Sequence, residues 1–291
     1  MNKVTEQRNP KSKKIDLLSI NGILSTINNQ DKKVAYEVEK VLPELSLLVD
    51  GIVNKLNNNG RLFYIGCGTS GRLGVLDAAE CPPTFSTHKD LVQGIIAGGS
   101  KALIQSIEGA EDSFTDGKNA VIKNKMNKKD ILIGISANGE APYVHGALNY
   151  AKEKNILTAL ICCNKVRKYN YLDYTLSVVV GPEIIAGSTR MKAGTATKMI
   201  LNMISTTTMI KLNKVYDNFM VDLKVNNKKL FNRAINIISN ITNSDLVVSR
   251  KYLSSANGSV KVAIVMIVRK LSYNKACELL EVNRGDLNKI L

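Results

Sequence analysis

Between residues 61 and 180 the chain repeats one pattern: a short apolar run, a stop at glycine, serine or asparagine, and then, in most cases, a stretch long enough for an amphipathic helix. The almost continuous hydrophobicity of these runs is typical of strands buried on both faces. Strands that alternate with helices build a parallel sheet covered on both sides. The sequence therefore predicts an α/β fold with a parallel five-stranded sheet flanked by helices, its strands at residues 62–65, 91–97, 131–136, 158–162 and 176–180.

The sequence on either side of these runs has helical spacing. Apolar residues recur every three or four positions between residues 34 and 56, which predicts an N-terminal helical layer. A mostly apolar stretch at 194–212 predicts a long, buried helix. We therefore predict three segments: an N-terminal helical segment at 1–48, the α/β domain at 49–225 and a C-terminal helical subdomain at 226–291.

Charge and composition restrict the partners of the chain. Of its 291 residues, 40 are Lys or Arg and 25 are Asp or Glu, which gives a formal net charge of +15. This surplus suits an anionic partner, and it suits equally a lysine-rich surface in solvent. Aromatic residues make up 5% and tryptophan is absent, so platforms for stacking single-stranded nucleic acid are few and a nucleic-acid partner is not expected.

Neither a membrane nor a metal is expected. No apolar run approaches the roughly 18 residues that span a bilayer, and the polar first fourteen residues lack a signal-peptide core, so we expect a cytoplasmic protein. The five cysteines form no C-x-x-C pair and their number is odd, which disfavours a disulfide framework or a metal site. His88 and His145 are the only histidines, so a histidine base has two candidates.

The first predicted strand is followed by a glycine-rich loop at 66–72 that satisfies G-x-G-x-x-G. A dinucleotide site would also need an acidic residue after the next strand, where the sequence has Gly98-Gly99-Ser100-Lys101 instead. Such a loop brings main-chain N–H groups, hydroxyls and a helix N-terminus to one anion, which favours a phosphomonoester. The alternative is a tight turn in which Ser70 only caps the helix. The candidate binding residues are Gly68, Thr69, Ser70, Gly71 and Arg72.

A second polar loop, Ser136-Ala137-Asn138-Gly139, follows the third predicted strand and precedes Pro142, a residue suited to the first turn of a helix. Because parallel strands end at one edge of the sheet, Ser136, Asn138 and Gly139 are predicted to hold the same anion from the other side. An ordinary loop between strand and helix is an equally good interpretation of this segment alone.

Two acidic regions are candidates for acid–base chemistry. Glu80 stands directly before Cys81-Pro82-Pro83, where the prolines are predicted to stop a helix. Residues 108–112 crowd Glu108, Glu111 and Asp112, and like charges this close raise one another's pKa, as a general acid near neutral pH requires. The alternative for 108–112 is a solvated acidic helix start.

A basic group lies before the long apolar helix. Its Ser188, Arg190 and Lys192 are candidates for neutralising a second anionic group of a substrate. A helix cap with solvated charges explains the same residues.

Several sequence blocks together resemble the N-acetylmuramic acid 6-phosphate (MurNAc 6-phosphate) etherases, a family of the sugar isomerase (SIS) superfamily. Four long blocks occur in the family's order: G-C-G-T-S-G-R-L-G at 66–74, D-A-A-E-C-P-P-T at 77–84, E-G-A-E-D at 108–112 and G-S-T-R-M-K-A-G-T at 187–195. Shorter matches at 9–10, 201–206 and 220–222 extend the resemblance over roughly residues 5–235.

The resemblance implies a SIS-type, Rossmann-like sheet that binds a phosphosugar without a nucleotide. It implies that MurNAc 6-phosphate and water yield GlcNAc 6-phosphate and D-lactate, a step of amino-sugar recycling from the cell wall that needs no cofactor. By the same carry-over, Glu80 matches the family's proton donor and Glu111 its second catalytic acid. Cleaving the ether at C3 of the open-chain sugar requires a base at C2 and an acid at the departing lactate oxygen, which we assign to Glu111 and Glu80.

One geometric condition accompanies this assignment. If Ser70 and Glu80 lay on one continuous helix, they would be about 15 Å apart, too far for one small sugar phosphate to bridge. Either Gly71 and Gly74 delay the start of the helix, or Glu80 serves the site of a neighbouring subunit. A homodimer is the default expectation for the chain.

The chain departs from the family pattern in two places. Where relatives usually have Ala-Ser-Gly-Arg-Thr-Pro, it has Ala137-Asn138-Gly139-Glu140-Ala141-Pro142, and Asp217 stands where relatives generally have glycine.

Residues 271–284 resemble a small helix-turn-helix. Helical packing is the preferred interpretation of this segment, and DNA binding is the alternative. A non-catalytic phosphosugar-sensing regulator and a sugar-phosphate isomerase are the rival functions, and the presence of both Glu80 and Glu111 favours the etherase.

Overall fold

The computed structural model describes residues 3–223, 225 and 227–291. The predicted start of the C-terminal segment at 226 lies outside the described residues. The chain forms two compact units, one of Met1–Ala79 with Asp90–Ser205 and one of Glu80–Lys89 with Thr206–Leu291. The division into three segments that the sequence predicts differs from these two units, and it stays a prediction.

The first unit contains a five-stranded parallel sheet in the order β2-β1-β3-β4-β5, which confirms the predicted fold class. Its core strands are fully buried, as their uninterrupted apolar sequences require. The strands are β1 Leu62–Gly66, β2 Val92–Ile96, β3 Ile131–Ile135, β4 Leu157–Cys162 and β5 Tyr174–Ser177.

Helices precede and connect these strands. Short 3-10 turns at Val4–Glu6, Pro10–Ser12 and Ile15–Leu17 lead into the first helix, and a fourth lies at Ser100–Leu103. The helices are α1 Ile20–Glu39, α2 Leu42–Asn57, α3 Gly68–Phe85, α4 Phe114–Lys123, α5 Pro142–Glu153 and α6 Lys192–Lys211. The predicted N-terminal helices and the long helix near 194–212 are thereby confirmed.

The strand order places a topological switch point between β1 and β3. The chain passes from β1 to β2 on one side and then crosses to β3 on the other. Gly66 pairs with Ile135 in the register of these strands, so the loops that follow them start side by side. In open α/β sheets, ligands bind beyond the carboxyl ends of the strands at such a point.

Two predictions about element ends are wrong. The fifth strand begins at Tyr174 and not at residue 176, and it ends at Ser177. Helix α3 does not stop before Pro82 and Pro83 but continues through both to Phe85. The fixed φ of proline is a helical value, so near the end of a helix the ring removes hydrogen bonds without forcing the backbone out of it.

The second unit is mainly helical. A short hairpin pairs β6 Val215–Tyr216 with β7 Phe219–Met220, and Asp217 in its turn has a φ of 52°. This left-handed conformation explains why glycine suits the position, and aspartate adopts it more readily than most residues. The helices are α7 Lys228–Thr242, α8 Leu246–Ser255, α9 Val260–Arg269, α10 Tyr273–Val282 and α11 Leu287–Ile290.

The helical packing preferred for the C-terminal residues is what the second unit shows. Ile238, Leu253 and Ile264 are completely buried in its apolar core. Within the described residues, no helix combines the length and the apolar character needed to cross a bilayer.

Candidate active site

A cavity of about 280 Å³ lies at the carboxyl ends of β1 and β3 in the first unit. It brings together residues from both predicted phosphate loops and one of the predicted catalytic carboxylates. The polar residues and glycines around it are Glu6, Gly68, Thr69, Ser70, Glu111, Ser136, Asn138, Gly187 and Thr189.

The loop after β1 presents the start of helix α3 to this cavity. Gly71 allows the helix to pack against the end of the strand, because a Cβ there would lie 2.6 Å from the carbonyl oxygen of Gly66. Gly68 begins the helix with a φ of 51°. The first N–H groups of a helix have no partner within it, and Thr69 and Ser70 add two hydroxyls at the same point. This end of the cavity therefore suits an anion.

The loop after β3 is closed by its own hydrogen bonds. The hydroxyl of Ser136 donates to Oδ1 of Asn138 at 2.8 Å, and the N–H of Glu140 donates to the same oxygen at 2.9 Å. The N–H of Gly139 donates to the Ser136 hydroxyl at 3.2 Å. Asn138 thus stabilises the turn with its oxygen, while its Nδ2 group remains the donor of the side chain.

Glu111 is held at the cavity by the main chain. Its carbonyl oxygen accepts a 3.0 Å hydrogen bond from the N–H of Tyr143, in the first turn of α5. Its negative charge affects the thiol of Cys67. The pKa of this thiol is raised to about 12, first by burial and then by the negative charges of Glu111 and Asp112. At neutral pH this thiol is protonated, so the cysteine in the cavity wall is a poor nucleophile.

Several predicted binding residues do not line this cavity. The guanidinium of Arg72 donates to the carbonyl oxygens of Leu103 and Gln105 at 3.2 and 3.1 Å. Gly71 and Gly139 shape the two loops, and Ser188 and Arg190 lie in the turn before α6. The substrate contacts predicted for these residues stay predictions.

The start of α6 is capped from within the protein. Both carboxylate oxygens of Glu183, a fully buried residue, accept 2.9 Å hydrogen bonds, from the N–H groups of Lys192 and Ala193. The ammonium group of Lys192 donates to the carbonyl oxygen of Val180 at 2.8 Å, and burial lowers its pKa. The cap interpretation accounts for this helix start, and contact of Lys192 with a substrate anion stays a prediction.

Glu80 is exposed on helix α3 and belongs to the second unit. Since α3 begins at Gly68 and is continuous, the expectation that glycines delay the helix is wrong. Ser70 and Glu80 are therefore separated by ten residues of unbroken helix.

The substituted loop also borders a larger cavity of about 930 Å³. There Glu140 forms an ion pair with Lys3. The hydrogen bond to Lys3, more than any other contact, lowers the pKa of Glu140. Glu140 is not among the residues that line the 280 Å³ cavity, and it pairs with Lys3 at the larger one.

Among the described residues, no group of three or more His, Cys, Asp or Glu side chains is placed to hold a metal ion.

Three residues line the cavity although no sequence pattern assigned them to it individually: Glu6, Gly187 and Thr189. The T-E-Q-R-N-P segment around Glu6 falls inside the family resemblance, which is the only signal for it in the sequence.

Parts of the chain match known family models, and its fold resembles that of a solved structure. Residues 44–152 match the glucokinase regulatory protein N-terminal SIS domain, and residues 217–261 match the C-terminal lid domain of glucokinase regulatory protein. A phosphoheptose isomerase of solved structure, GmhA from Neisseria gonorrhoeae, is 16% identical with a TM-score of 0.49, over 65% of this chain and 98% of that chain.

Much closer relatives match over nearly the whole chain. An N-acetylmuramic acid 6-phosphate etherase from Clostridium botulinum (strain Eklund 17B / Type B) is 50% identical over 98% of this chain and 95% of its own length. Another from Clostridium acetobutylicum is 48% identical over 99% of this chain and 95% of its own length. The chain belongs to the N-acetylmuramic acid 6-phosphate etherase family.

Proposed function

We propose that this protein is an N-acetylmuramic acid 6-phosphate etherase that converts MurNAc 6-phosphate and water into GlcNAc 6-phosphate and D-lactate. The observation that carries the proposal is the cavity between β1 and β3, where two hydroxyl-bearing loops and the Glu111 carboxylate meet in a chain of this family. An anion-binding end beside a carboxylate is what acid–base chemistry on a phosphosugar needs.

The 6-phosphate belongs at the start of helix α3. The N–H groups of the first turn and the hydroxyls of Thr69 and Ser70 bind its oxygens on one side. The Nδ2 group of Asn138 binds on the other side, and the Ser136 hydroxyl joins it by turning its hydrogen from Oδ1 of Asn138 to the phosphate. Fixing the phosphate in this way orients the carbon chain before the reaction and removes much of its entropic cost.

Glu111 acts as the base on the open-chain sugar. Its carboxylate takes the proton from C2, which the neighbouring aldehyde acidifies, and the electrons of that C–H bond form the C2–C3 double bond. The C3–O bond breaks, and the lactate oxygen takes a proton from the acid, Glu80. Water then adds its oxygen to C3 while C2 regains a proton, so that atoms and charge balance.

Glu80 reaches this chemistry from a second subunit of a homodimer. Ten residues of continuous helix separate it from Ser70, a rise of about 15 Å, so one small substrate does not contact both on the same chain. A dimer in which each chain contributes one acid removes this difficulty. The enzyme acts in the cytoplasm, where sugar phosphates occur.

Two assays test the proposal. Purified protein is incubated with MurNAc 6-phosphate, and we expect D-lactate from the wild type and almost none from Glu80→Ala or Glu111→Ala variants that still bind GlcNAc 6-phosphate. Mixed dimers of Glu80→Gln and Ser70→Ala chains should recover part of the activity. If verified mixed dimers recover no activity, the shared site is contradicted, but the proposed reaction is not.

The sensing regulator remains the second candidate because of the net charge of +15. It predicts salt-sensitive binding to duplex DNA and no turnover in the lactate assay. Turnover by the wild type excludes it as the main function.

A further inference from the structure

Glu6 is the second carboxylate that lines the 280 Å³ cavity, together with Glu111. It comes from the 3-10 turn Val4–Glu6, more than fifty residues before the first strand. The mechanism above gives it no role. Its position in the cavity calls for one, because a carboxylate facing a phosphate site weakens binding unless it contributes a compensating contact.

Glu6 is held in place through its neighbour Thr5, which forms hydrogen bonds through both its main chain and its side chain. Thr5 is completely buried, and its N–H donates to Oδ1 of Asn164 at 3.3 Å. Asn164 returns a hydrogen bond from Nδ2 to the Thr5 hydroxyl at 3.0 Å, and Nδ2 also donates to the carbonyl oxygen of Ala137 at 3.1 Å. The turn that carries Glu6 is thus linked to the loop that carries Ser136 and Asn138.

The opposite wall of the cavity holds the same turn. The N–H of Gly187 donates to the carbonyl oxygen of Thr5 at 3.2 Å. A Cβ on Gly187 would lie 3.2 Å from Oε2 of Glu6, so the carboxylate lies directly against this glycine. The Thr5 hydroxyl lies 3.4 Å from Oε1 of Glu6, a long hydrogen bond. The Glu6 carboxylate is therefore held in place by its own contacts with Gly187 and Thr5.

The lining residues of this cavity restrict what Glu6 can meet. They include two carboxylates, Glu6 and Glu111, and neither lysine nor arginine. The phosphate is bound by neutral donors at the start of α3, so the rest of the ligand has to bring donors of its own to the carboxylates. Hydroxyl and amide N–H groups on a sugar carbon chain are such donors.

We propose that Glu6 contacts the substrate and accepts hydrogen bonds from hydroxyl or amide N–H groups of the phosphosugar. It thereby selects a sugar phosphate over inorganic phosphate, since a site built to accept hydrogen bonds discriminates against ligands that lack the donors. The assignment rests on the proposed function for the identity of the sugar, and its test does not depend on turnover.

Calorimetric binding of two ligands, GlcNAc 6-phosphate and inorganic phosphate, tests the role. In the variant Glu6→Gln we expect the affinity for GlcNAc 6-phosphate to fall about tenfold, the effect of weakening a hydrogen bond to a charged group. The affinity for inorganic phosphate should stay the same or rise, because a nearby negative charge is gone. Equal losses for both ligands would mean that Glu6 only supports the loops, and no change in either would mean that it does not touch the ligand; both results overturn the proposal.

Three further variants sharpen the result. Gln7→Ala changes an exposed neighbour and should leave both affinities unchanged. Glu6→Asp keeps the charge but shortens the reach, and should weaken sugar phosphate binding less than Glu6→Gln. Thr5→Val keeps the shape of the buried residue and removes its hydroxyl, and should lower the affinity for the sugar phosphate in the same direction as Glu6→Gln. If the wild type releases no lactate while these binding differences persist, the proposed reaction fails and the role of Glu6 stands.

Discussion

The Nδ2 group of Asn202 donates a 2.8 Å hydrogen bond to Oδ1 of Asp77, which joins helices α6 and α3 inside the first unit. The hydroxyl of Ser205 donates to the same oxygen at 3.0 Å. Asp77 is 6% exposed, and burial raises its pKa above the ordinary 3.8 although hydrogen bonds from Asn202, Ser205 and Tyr64 oppose the shift. A carboxyl group that is costly to ionise is thus built into the helix that starts at the phosphate loop.

The raised pKa of Asp77 predicts a pH-dependent stability. As pH rises above 3.8, the unfolded chain loses this proton before the folded chain does, so the contribution of Asp77 to stability is present at low pH and declines toward neutrality. Urea unfolding of wild type and Asp77→Asn between pH 4 and 7 measures it. The free energy of unfolding of the wild type should fall relative to that of the variant as pH rises. A constant difference between the two proteins would contradict a raised pKa of the buried Asp77 carboxyl group.

A negative charge in the loop after β3 should weaken phosphate binding. Asn138→Asp keeps the shape and the oxygen that closes the turn, but it places an anion beside the phosphate site. We expect KM for MurNAc 6-phosphate to rise about tenfold or more, since two like charges a few ångströms apart at a protein surface repel by more than 1 kcal/mol. Asn119→Asp, on the exposed face of α4, is the matched control and should leave KM unchanged.

The cap on α6 should be a stability determinant. Glu183→Gln retains the size of the buried side chain but turns an N–H2 group toward a main-chain N–H, and we expect a loss of about 2 kcal/mol in the free energy of unfolding. Glu153→Gln on the exposed end of α5 serves as the control and should cost less than about 0.5 kcal/mol. Equal stability of both variants would show that the Glu183 cap is dispensable.

Thiol chemistry checks that Glu111 lies beside Cys67. Because the pKa of Cys67 is raised to about 12, alkylation by iodoacetamide at pH 8 should be slow in a Cys277→Ser background. Glu111→Gln removes one of the charges that raise the pKa, so it should speed the modification of Cys67 while Glu108→Gln does not. Identical rates in the Cys277→Ser protein and in its Glu111→Gln and Glu108→Gln derivatives would show that the Glu111 carboxylate does not lie beside Cys67.

The sequence predicted the sheet because its strands are buried on both faces and leave uninterrupted apolar runs. The apolar run that suggested the edge strand β5 extends past its end to Val178, which is fully buried and whose N–H still donates to the carbonyl oxygen of Cys162 at 2.8 Å. The stop expected at Pro82 was wrong because the fixed φ of proline is a helical value, so two prolines in the last turn remove hydrogen bonds without ending the helix.

The candidate site was predictable where it depends on strand ends and not where it depends on distant contacts. Thr69, Ser70, Ser136 and Asn138 meet because β1 and β3 are neighbours. The alternation of strands and helices predicted that their loops share one edge of a parallel sheet, but not the order of the strands. Glu6 is held at the cavity by long-range contacts of its turn with Asn164 and Gly187, 159 and 182 residues from Thr5, which no local pattern contains. Conversely, a basic residue in the sequence does not reveal where its charge points, as the buried Lys192 shows.

Elimination by Glu111 is tested most directly by the reaction of MurNAc 6-phosphate with the purified wild type in D2O, followed by assay of D-lactate and by NMR of the product sugar. This mechanism predicts stoichiometric D-lactate and GlcNAc 6-phosphate with deuterium at C2, and neither lactate nor deuterium at C2 with Glu111→Gln. Release of lactate without deuterium at C2, or full activity of Glu111→Gln, would contradict elimination by this carboxylate.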